Sequence, residues 1–450
     1  MTECNQNRFE FATPGTRQIV AEFSGGTITT DAGSLLLKEA DRKMNLLLRF
    51  SQCFTDRRSP LLIEHTLEQM LQQRVYGLAL GYEDLNDHDL LRLDPLLGVM
   101  AGKSEPGTDL LAGKSTLNRM ELGSETPSRY KKITFLRDSV DELLVDVFLE
   151  AHAVVPVQIV LDIDTTDMAL HGNQEDKFYH GYYKHYCYLP LYIFCGDHVL
   201  CARLRPSSIG PAVGSRKEVE RIVKQIRQRW PDVEIILRGD SGFCADELLT
   251  WCENNAVHYV VGVARNQRLE KLIDGPLAEA KQQFEATQQP ARIFVEFEHQ
   301  TLKETWNKDR RVVAKAEHIN GKSNPRFIVT SLASWDKQKL YEELYCARGD
   351  MENRIKEQFV LFADRVSVST MRGNQLRVYL SVIAYTLMNG LRRLGLRATT
   401  MATAQVGTIR LKLLKIGAII QVTVRKVWVR MASSYPYQAL FSQVLKQLRS

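Results

Sequence analysis

The sequence predicts an α/β protein, a mixed β-sheet flanked by helices, and three observations carry that prediction. From about residue 156, apolar runs of strand length alternate with helical periodicities in the order β-β-β-α-β-α-β. A first stretch, residues 1–155, reads instead as mostly helical. Of the 450 residues, 44% are hydrophobic and 25% charged, so the chain can bury a large core without disulfide or metal staples.

In the N-terminal stretch, Leu62, Ile63, Leu67, Met70, Leu71 and Val75 recur at helical spacing and predict a helix from Leu61. An acidic loop, 81–89, has the composition of a calcium loop but lacks its ligand spacing and closing Glu, and reads as a solvated helix connection. Residues 158–164 form a β-rich run ending in acids, and the apolar runs 186–194 and 198–204 read as a meander. Ser215 and Glu218 have the spacing of a capping box ahead of the buried stripe Val219, Ile222, Val223 and Ile226. Pro231 ends that helix, and the strand 233–237 leads straight into Arg238-Gly239-Asp240. A short helix (245–254) and a strand (257–263) complete the order. Residues 271–325, with a helical stretch and two alternating strands near 293–297 and 311–316, read as an insertion. After a strand at 327–332, a helical pattern carries Leu340, Leu344, Met351, Ile355 and Phe359. An apolar helix (376–394) and a basic β-rich segment (419–429) finish the chain.

The net charge of +6 hides an asymmetry. Fourteen of the 59 Lys and Arg, but none of the 53 Asp and Glu, lie in 365–450, which leaves 45 basic against 53 acidic side chains elsewhere. An acid-free basic end is the electrostatic footprint of a polyanion-binding surface, with Arg410, Lys412, Lys415, Arg425, Lys426 and Arg430 as candidate phosphate contacts. The alternative is a basic face answering the acidic remainder. The first five residues carry neither a charged n-region nor an apolar h-region, and the eight cysteines (Cys4 among them) include no C-x-x-C pair. The apolar stretch 379–391 is too short for a bilayer, so a soluble, cytoplasmic, nucleoid-associated protein with free thiols is expected.

Two other chemistries fail on spacing. Gly113-Lys114-Ser115 looks like the end of a P-loop, but Thr108 stands where Gly is required and Gly107 is one residue too far, so no ATP binding is expected. His171, His180, His185 and Cys187 are zinc-ligand types without the spacing of a zinc module, and read as loops around the core that touch DNA.

The chemistry-bearing residues are acids. Asp164 and Asp240 close two separate strands, and Glu352 lies far downstream on a helix. Side chains at strand ends leave the packed core for a cleft, where ligands collect. Carboxylates suit hard cations such as Mg²⁺, and two such ions about 3.5–4 Å apart clamp the attacking and leaving oxygens of an in-line displacement. Three acids from three elements are the smallest set for that task. Tyr345, Arg348 and Glu352, at i, i+3 and i+7, fall on one helix face, and a guanidinium there can grip a phosphate bidentately. Gly349 predicts a helix start or kink just before Glu352. Asp162 is the rival first acid, since it shares a strand face with Asp164. It sits deeper in the apolar run, whereas Asp164 directly precedes Thr165-Thr166, and Asp164 is favoured. Taken singly, the three acids have bland readings as a turn acid, a helix cap and a solvated residue paired with Lys356; their shared order and context favour the triad.

Asp164-Thr165-Thr166, Arg238-Gly239-Asp240-Ser241-Gly242-Phe243 and Tyr345-x-x-Arg348-x-x-x-Glu352 together resemble the bacterial insertion-sequence DDE transposases, in the group with a Tyr-x-x-Arg-x-x-x-Glu signature. The resemblance runs over nearly the whole chain and includes Ala79-Leu80-Gly81-Tyr82-Glu83-Asp84 and Ser115-Thr116-Leu117-Asn118-Arg119. It implies an RNase H-like catalytic core with a β-rich insertion between the second and third acids, and Asp164, Asp240 and Glu352 as catalytic metal ligands. It also implies two Mg²⁺ ions per active site, with Mn²⁺ able to substitute. DNA is the implied partner, as terminal inverted repeats and as target, bound by a homodimer assembled on DNA without ATP. The family pattern has a Lys seven residues past the Glu; here that position is Phe359, and Lys356, four past Glu352, is the nearest. Tyr345, Arg348, Lys356, Arg425 and Lys426 are thus the expected DNA contacts.

The expected domains are a helical, DNA-binding 1–155, a core of 156–270 and 326–364, the insertion 271–325, and a basic C-terminal region 365–450. The expected reaction is metal-dependent hydrolysis at an element end, followed by attack of the freed 3′-OH on target DNA. A metal-dependent nuclease or resolvase of the same fold, or a catalytically silent DNA-binding derivative, are the alternatives. Three intact acids argue against the silent derivative, and the length and N-terminal domain argue against a plain nuclease.

Overall fold

Strand-forming residues between 158 and 330 pair into one nine-stranded mixed sheet in the computed structural model, which describes residues 8–12, 15–106, 108–123, 125–126, 128–301 and 305–450. Cys4 and Gly107 lie outside the described residues. The strands are β1 (Gln158–Thr165), β2 (Leu191–Cys195), β3 (His198–Arg203), β4 (Glu234–Gly239), β5 (His258–Val263), β6 (Ala291–His299), β7 (Arg310–Ile319) and β8 (Arg326–Thr330). Their order is β3-β2-β1-β4-β5-β8-β7-β6, and the short Lys322–Ser323 strand pairs with β7. β4 runs parallel to β1 and β5; every other pairing is antiparallel. Parallel strands need crossovers, which α2 (Ser215–Arg229) and α3 (Asp246–Asn254) supply, and α1 (Arg137–Glu150) precedes β1.

Period-two alternation sets two cores. Leu161, Ile163, Ile235, Leu237, Tyr259 and Val261 point to the face covered by the buried stripe of α2, Val219, Ile222, Val223 and Ile226. Burying those four side chains contributes about 2 kcal/mol each. Ile236, Val260, Val313 and Ile328 point to the other face, against Leu340, Tyr341 and Leu344.

Several local expectations are corrected. The capping box at α2 does not form: Gly214, at φ 77°, is the N-cap, and the Ser215 hydroxyl donates to the Ala212 carbonyl at 2.6 Å. Glu218 is drawn away by Arg203 and Arg221, 2.9 and 3.2 Å from its two oxygens. The run 186–194 breaks at Pro190, so His185–Tyr188 leaves the main sheet for a three-stranded one with Met168–Ala169 and Phe178–His180. The segment read as an insertion has the expected helix and two strands, and those strands join the main sheet: β6 and β7 pair with each other, and β7 pairs with β8. Helix α4 (Asp274–Thr287) packs on them through Phe284, 5.0 Å from the His318 ring.

This sheet belongs to a compact unit of Cys53–Thr55 and Glu121–Val382. A second unit gathers the described residues up to Gln52 with Asp56–Met120 and Ile383–Ser450. Within it, the helix expected from Leu61 starts at Leu67. Residues 60–62 make one 3-10 turn with Leu61 95% exposed, and Thr66 and Gln69 close a capping box. Gly81, at φ 101°, ends that helix, and the Arg410 guanidinium donates to the Leu78 and Ala79 carbonyls. Lys415 lies 2.7 Å from Asp31. Arg410 and Lys415, expected to meet phosphate, are therefore engaged within the unit. The basic β-rich segment forms a hairpin, Ala418–Val422 with Val427–Met431, whose Ile420, Val427 and Val429 cover Leu35 and Leu96.

The apolar helix expected at 376–394 forms as Met371–Leu391, and no helix among the described residues is long and apolar enough to cross a membrane. The seven described cysteines are free, and burial pushes the Cys195, Cys244 and Cys252 thiols up to about 12.

One buried charge network ties α1, β3 and α2 together. The Arg203 guanidinium meets Asp141, which also accepts from the Tyr379 hydroxyl at 2.7 Å, and Arg203 reaches Glu218 as well. Arg203→Met should destabilise the protein by about 3 kcal/mol, because it strands the buried Asp141 carboxylate. Arg216→Met, at the exposed pair with Glu247, should change stability by less than about 0.5 kcal/mol. Denaturant unfolding of the two variants side by side checks this; equal effects would remove the network's role.

Candidate active site

The face of the sheet opposite α2 carries three parallel columns of side chains. On β1 they are Val160, Asp162 and Asp164, on β4 and just beyond it Ile236, Arg238 and Asp240, and on β5 Val260 and Gly262. Register aligns them: Ile236 pairs with Val160, Arg238 with Asp162 and Gly239 with Ile163, while Gly239 pairs with Val261. The β1 and β4 columns climb from an apolar floor, through the two members of an ion pair, to carboxylates at the strand ends.

The ion pair is buried. Arg238 Nε and Nη2 lie 2.5 and 2.8 Å from the two Asp162 oxygens, and Nη1 donates to the Leu344 carbonyl. Burial pushes the Asp162 carboxyl up, and Arg238 opposes it. With both oxygens taken, Asp162 has a partner inside the fold, which separates it physically from its neighbour Asp164.

The covering helical run is not uniform. Leu340–Tyr345 is a π-helix, Cys346–Arg348 a 3-10 turn, and α5 (Gly349–Val360) begins afresh at the glycine. The single i, i+3, i+7 face expected for Tyr345, Arg348 and Glu352 therefore does not exist as regular helix. Leu340, Tyr341 and Leu344 are held in the second core and the Leu344 carbonyl is held by Arg238, so the backbone adjusts around these anchors.

The three side chains still reach the strand ends. Arg348 Nη1 donates to Asp164 Oδ2 at 2.9 Å, and Nη2 lies 3.7 Å from Glu352 Oε1. Asp240 Oδ1 accepts from the Gly242 N–H at 2.9 Å, so this acid also caps the turn after β4. The Asp164 carboxyl is pushed up to about 6, first by burial and then by Asp240 and Glu352, with Arg348 opposing. Burial works against the Arg348 charge, but Asp164, Tyr345, Asp240 and Glu352 raise its pKa overall. Burial also pushes the Tyr345 phenol up, and Asp240 adds to the shift. Asp164, Asp240 and Glu352 thus share one electrostatic neighbourhood around a guanidinium.

Two glycines make the approach possible. A Cβ on Gly262 would stand 2.8 Å from Tyr345 Oη and 2.9 Å from the Ser241 nitrogen; one on Gly242 would stand 3.0 Å from Asp240 Oδ1. Sequence reading had missed Gly262, although a glycine inside an apolar strand is a recognisable sign of close approach. It had also missed the Arg238–Asp162 pair, for which register is the only signal.

Lys356 is exposed one turn beyond Glu352, and Arg425 and Lys426 are exposed at the hairpin turn of the other unit, with the Lys426 ammonium 5.5 Å from the Trp428 ring. The histidines and Cys187 assemble no ligand set. Among the described residues, no three His, Cys, Asp or Glu side chains stand together as a ready metal site, the three acids included.

The family model described as transposase DDE domain group 1 matches residues 11–450. No curated protein matches the sequence. A solved structure titled "Cryo-EM structure of piggyBac transposase synaptic complex with hairpin DNA" is similar at 12% identity and a TM-score of 0.43, over 94% of this chain and 82% of that chain.

The two neighbouring aspartates should separate by experiment. Asp162→Ala leaves Arg238 buried without its partner and should cost about 3 kcal/mol. Asp164→Ala removes a carboxylate crowded by like charges and should leave stability near that of the wild type. Thermal melting of both variants checks this, and an Asp164→Ala protein as unstable as Asp162→Ala would contradict it.

Proposed function

With its model matched over residues 11–450, this chain belongs to the transposase DDE domain group 1 family, and from that premise we propose an insertion-sequence transposase that cuts and joins DNA ends with Asp164, Asp240 and Glu352 as metal-holding carboxylates. The observation that carries the mechanistic part is the meeting of Asp164 and Glu352 on Arg348, with Asp240 near enough to act on Asp164. The strand order β3-β2-β1-β4-β5, antiparallel to β1 and parallel from there, supports reading the core as RNase H-like.

The donor set fits hard divalent cations. It offers anionic oxygens from three elements, crowded enough that Asp240 and Glu352 both push the Asp164 carboxyl up, and a cation already answers them in the form of Arg348. Asp164, Asp240 and Glu352 would hold two Mg²⁺ or Mn²⁺ ions, which when bound activate water and neutralise charge on phosphate oxygens. Arg348 transfers its fork from Asp164 to a phosphate of the substrate, for which a planar guanidinium is suited. Tyr345, seated on Gly262, orients that phosphate through its hydroxyl, and Lys356 adds charge at the rim. The Arg238–Asp162 pair holds β1, β4 and the Leu344 carbonyl in register, which fixes the strand ends that carry Asp164 and Asp240. Exposed Arg425 and Lys426 meet the DNA backbone, the N-terminal helices read the terminal inverted repeats, and a homodimer on DNA brings two ends together.

Replacing Asp164, Asp240 or Glu352 with Ala should abolish strand cleavage of labelled element ends while end binding persists. Mg²⁺ or Mn²⁺ should support cleavage, and Ca²⁺ should allow assembly without chemistry because its looser geometry misplaces the nucleophile. Cleavage that survives EDTA would sink the metal mechanism.

Neutralising Arg425 and Lys426 together should reduce the slope of log K against log[salt] by roughly 0.9 per lost phosphate contact, about equally for all duplex sequences. An unchanged slope with a lowered melting temperature would instead make these residues structural.

A further inference from the structure

The segment between β1 and β2 has no part in the mechanism above, yet it departs directly from the carboxylate edge. Three residues after Thr165, Met168–Ala169 pairs with His185–Tyr188, which pairs with Phe178–His180. Register sorts the side chains by face: Tyr179 stands opposite Tyr186, and His180 opposite His185.

The second of these faces carries His180 and His185, with Tyr183 packed against both. The Tyr183 ring lies 4.9 Å from His180 and 6.1 Å from His185, and His185 Nε2 is 2.9 Å from Asp167 Oδ2. Burial first, then Asp167 and Asp164, push the Tyr183 phenol up to about 12. The first face looks outward. There the Tyr179 and Tyr186 rings meet edge to face at 5.5 Å, with the Lys177 ammonium 5.3 Å from the Tyr186 ring. At the turn, Tyr182 is 82% exposed, and Tyr179 and Tyr186 are 51% and 47% exposed.

Exposed aromatic rings on the segment that leaves the Asp164 strand, with lysines among them, suit an occupant with flat apolar faces and a negatively charged backbone. In a duplex those base faces are covered by stacking, so the rings suit bases that are unpaired. Lys177 and Lys184 are exposed and can meet phosphates, and Glu175, the acid beside them, is tied down by the Met371 N–H at 2.8 Å; Asp176 stays exposed. Two cations are few for a duplex but sufficient to hold a strand whose affinity comes from stacking.

We propose that the hairpin of residues 178–188 binds an unpaired DNA strand beside the phosphodiester to be cut, with Tyr179, Tyr182 and Tyr186 stacking on bases and Lys177 and Lys184 meeting phosphates. The proposal rests on the reading of the neighbouring acids as a DNA-cleaving site.

The test measures binding of the full-length protein to a fluorescein-labelled oligothymidylate and to a duplex of equal length, across a salt series. Tyr182→Ala and Tyr179→Ala should each weaken oligothymidylate binding about tenfold and leave duplex binding unchanged. The salt slope should not move, because a phenol carries no charge to exchange for counterions, whereas Lys177→Ala with Lys184→Ala should lower it. Tyr182→Phe and Tyr182→Trp should keep wild-type affinity, which separates stacking from hydroxyl bonding and controls for folding. Alanine variants that bind oligothymidylate like the wild type would overturn the proposal and leave the rings to a protein contact. Loss on both probes alike, or loss in the Phe variant, would overturn it too. Asp240→Ala keeps the two readings apart. If it still cuts DNA, the catalytic assignment fails, while the oligothymidylate measurement continues to decide the hairpin on its own.

Discussion

The buried bidentate pair between Arg238 and Asp162 is the constraint on which the site depends. It joins β1 to β4 on one sheet face, and the same guanidinium fastens the Leu344 carbonyl, so three elements share one anchor. Taking both charges out of water is expensive, and an apolar substitute of equal volume could serve stability as well. What an apolar pair could not do is hold a backbone carbonyl. That third bond fastens the π-helix one residue before its end, on the turn that leads to Tyr345, Arg348 and Glu352.

Above that anchor the electrostatics change sign. Asp240 and Glu352 both act against the charge of the buried Asp164, and Arg348 offsets them from within. Such an arrangement is poised rather than settled: the carboxylates call for positive charge, and the guanidinium that supplies it is a group whose planar fork also suits phosphate. The close fit of Tyr345 against Gly262 shows how little space is left for error, since a single methyl at Gly262 would strike both the phenol and the backbone after Asp240.

Much of this was legible in the chain. Alternation and helical periodicity located the eight long strands and the crossover helices because those patterns are local, and each apolar face must find a partner somewhere. The acids at 164 and 240 stood out because each closes an apolar run. Expectations failed where a tertiary partner outbid a local one. Glu218 left its capping position for two arginines, and Arg410 and Lys415, read as free basic charge, were taken by helix carbonyls and Asp31. Charge counts along a chain record how much is present, not what it faces.

The sequence by itself determined the mixed α/β class, the order of elements, the acids at the strand ends and the acid-free end of the chain, since all of these follow from spacing and composition. Tertiary structure alone decided that β6 and β7 extend the main sheet, that Asp162 is committed to Arg238 while Asp164 meets Arg348, and that the Tyr-Arg-Glu run spans three kinds of helix. It also decided that His185 meets Asp167 and that Tyr183 stands near enough to feel the charge of Asp164. The reason is register: which residue faces which across a sheet is fixed by pairings between distant segments, and no window of sequence contains both partners.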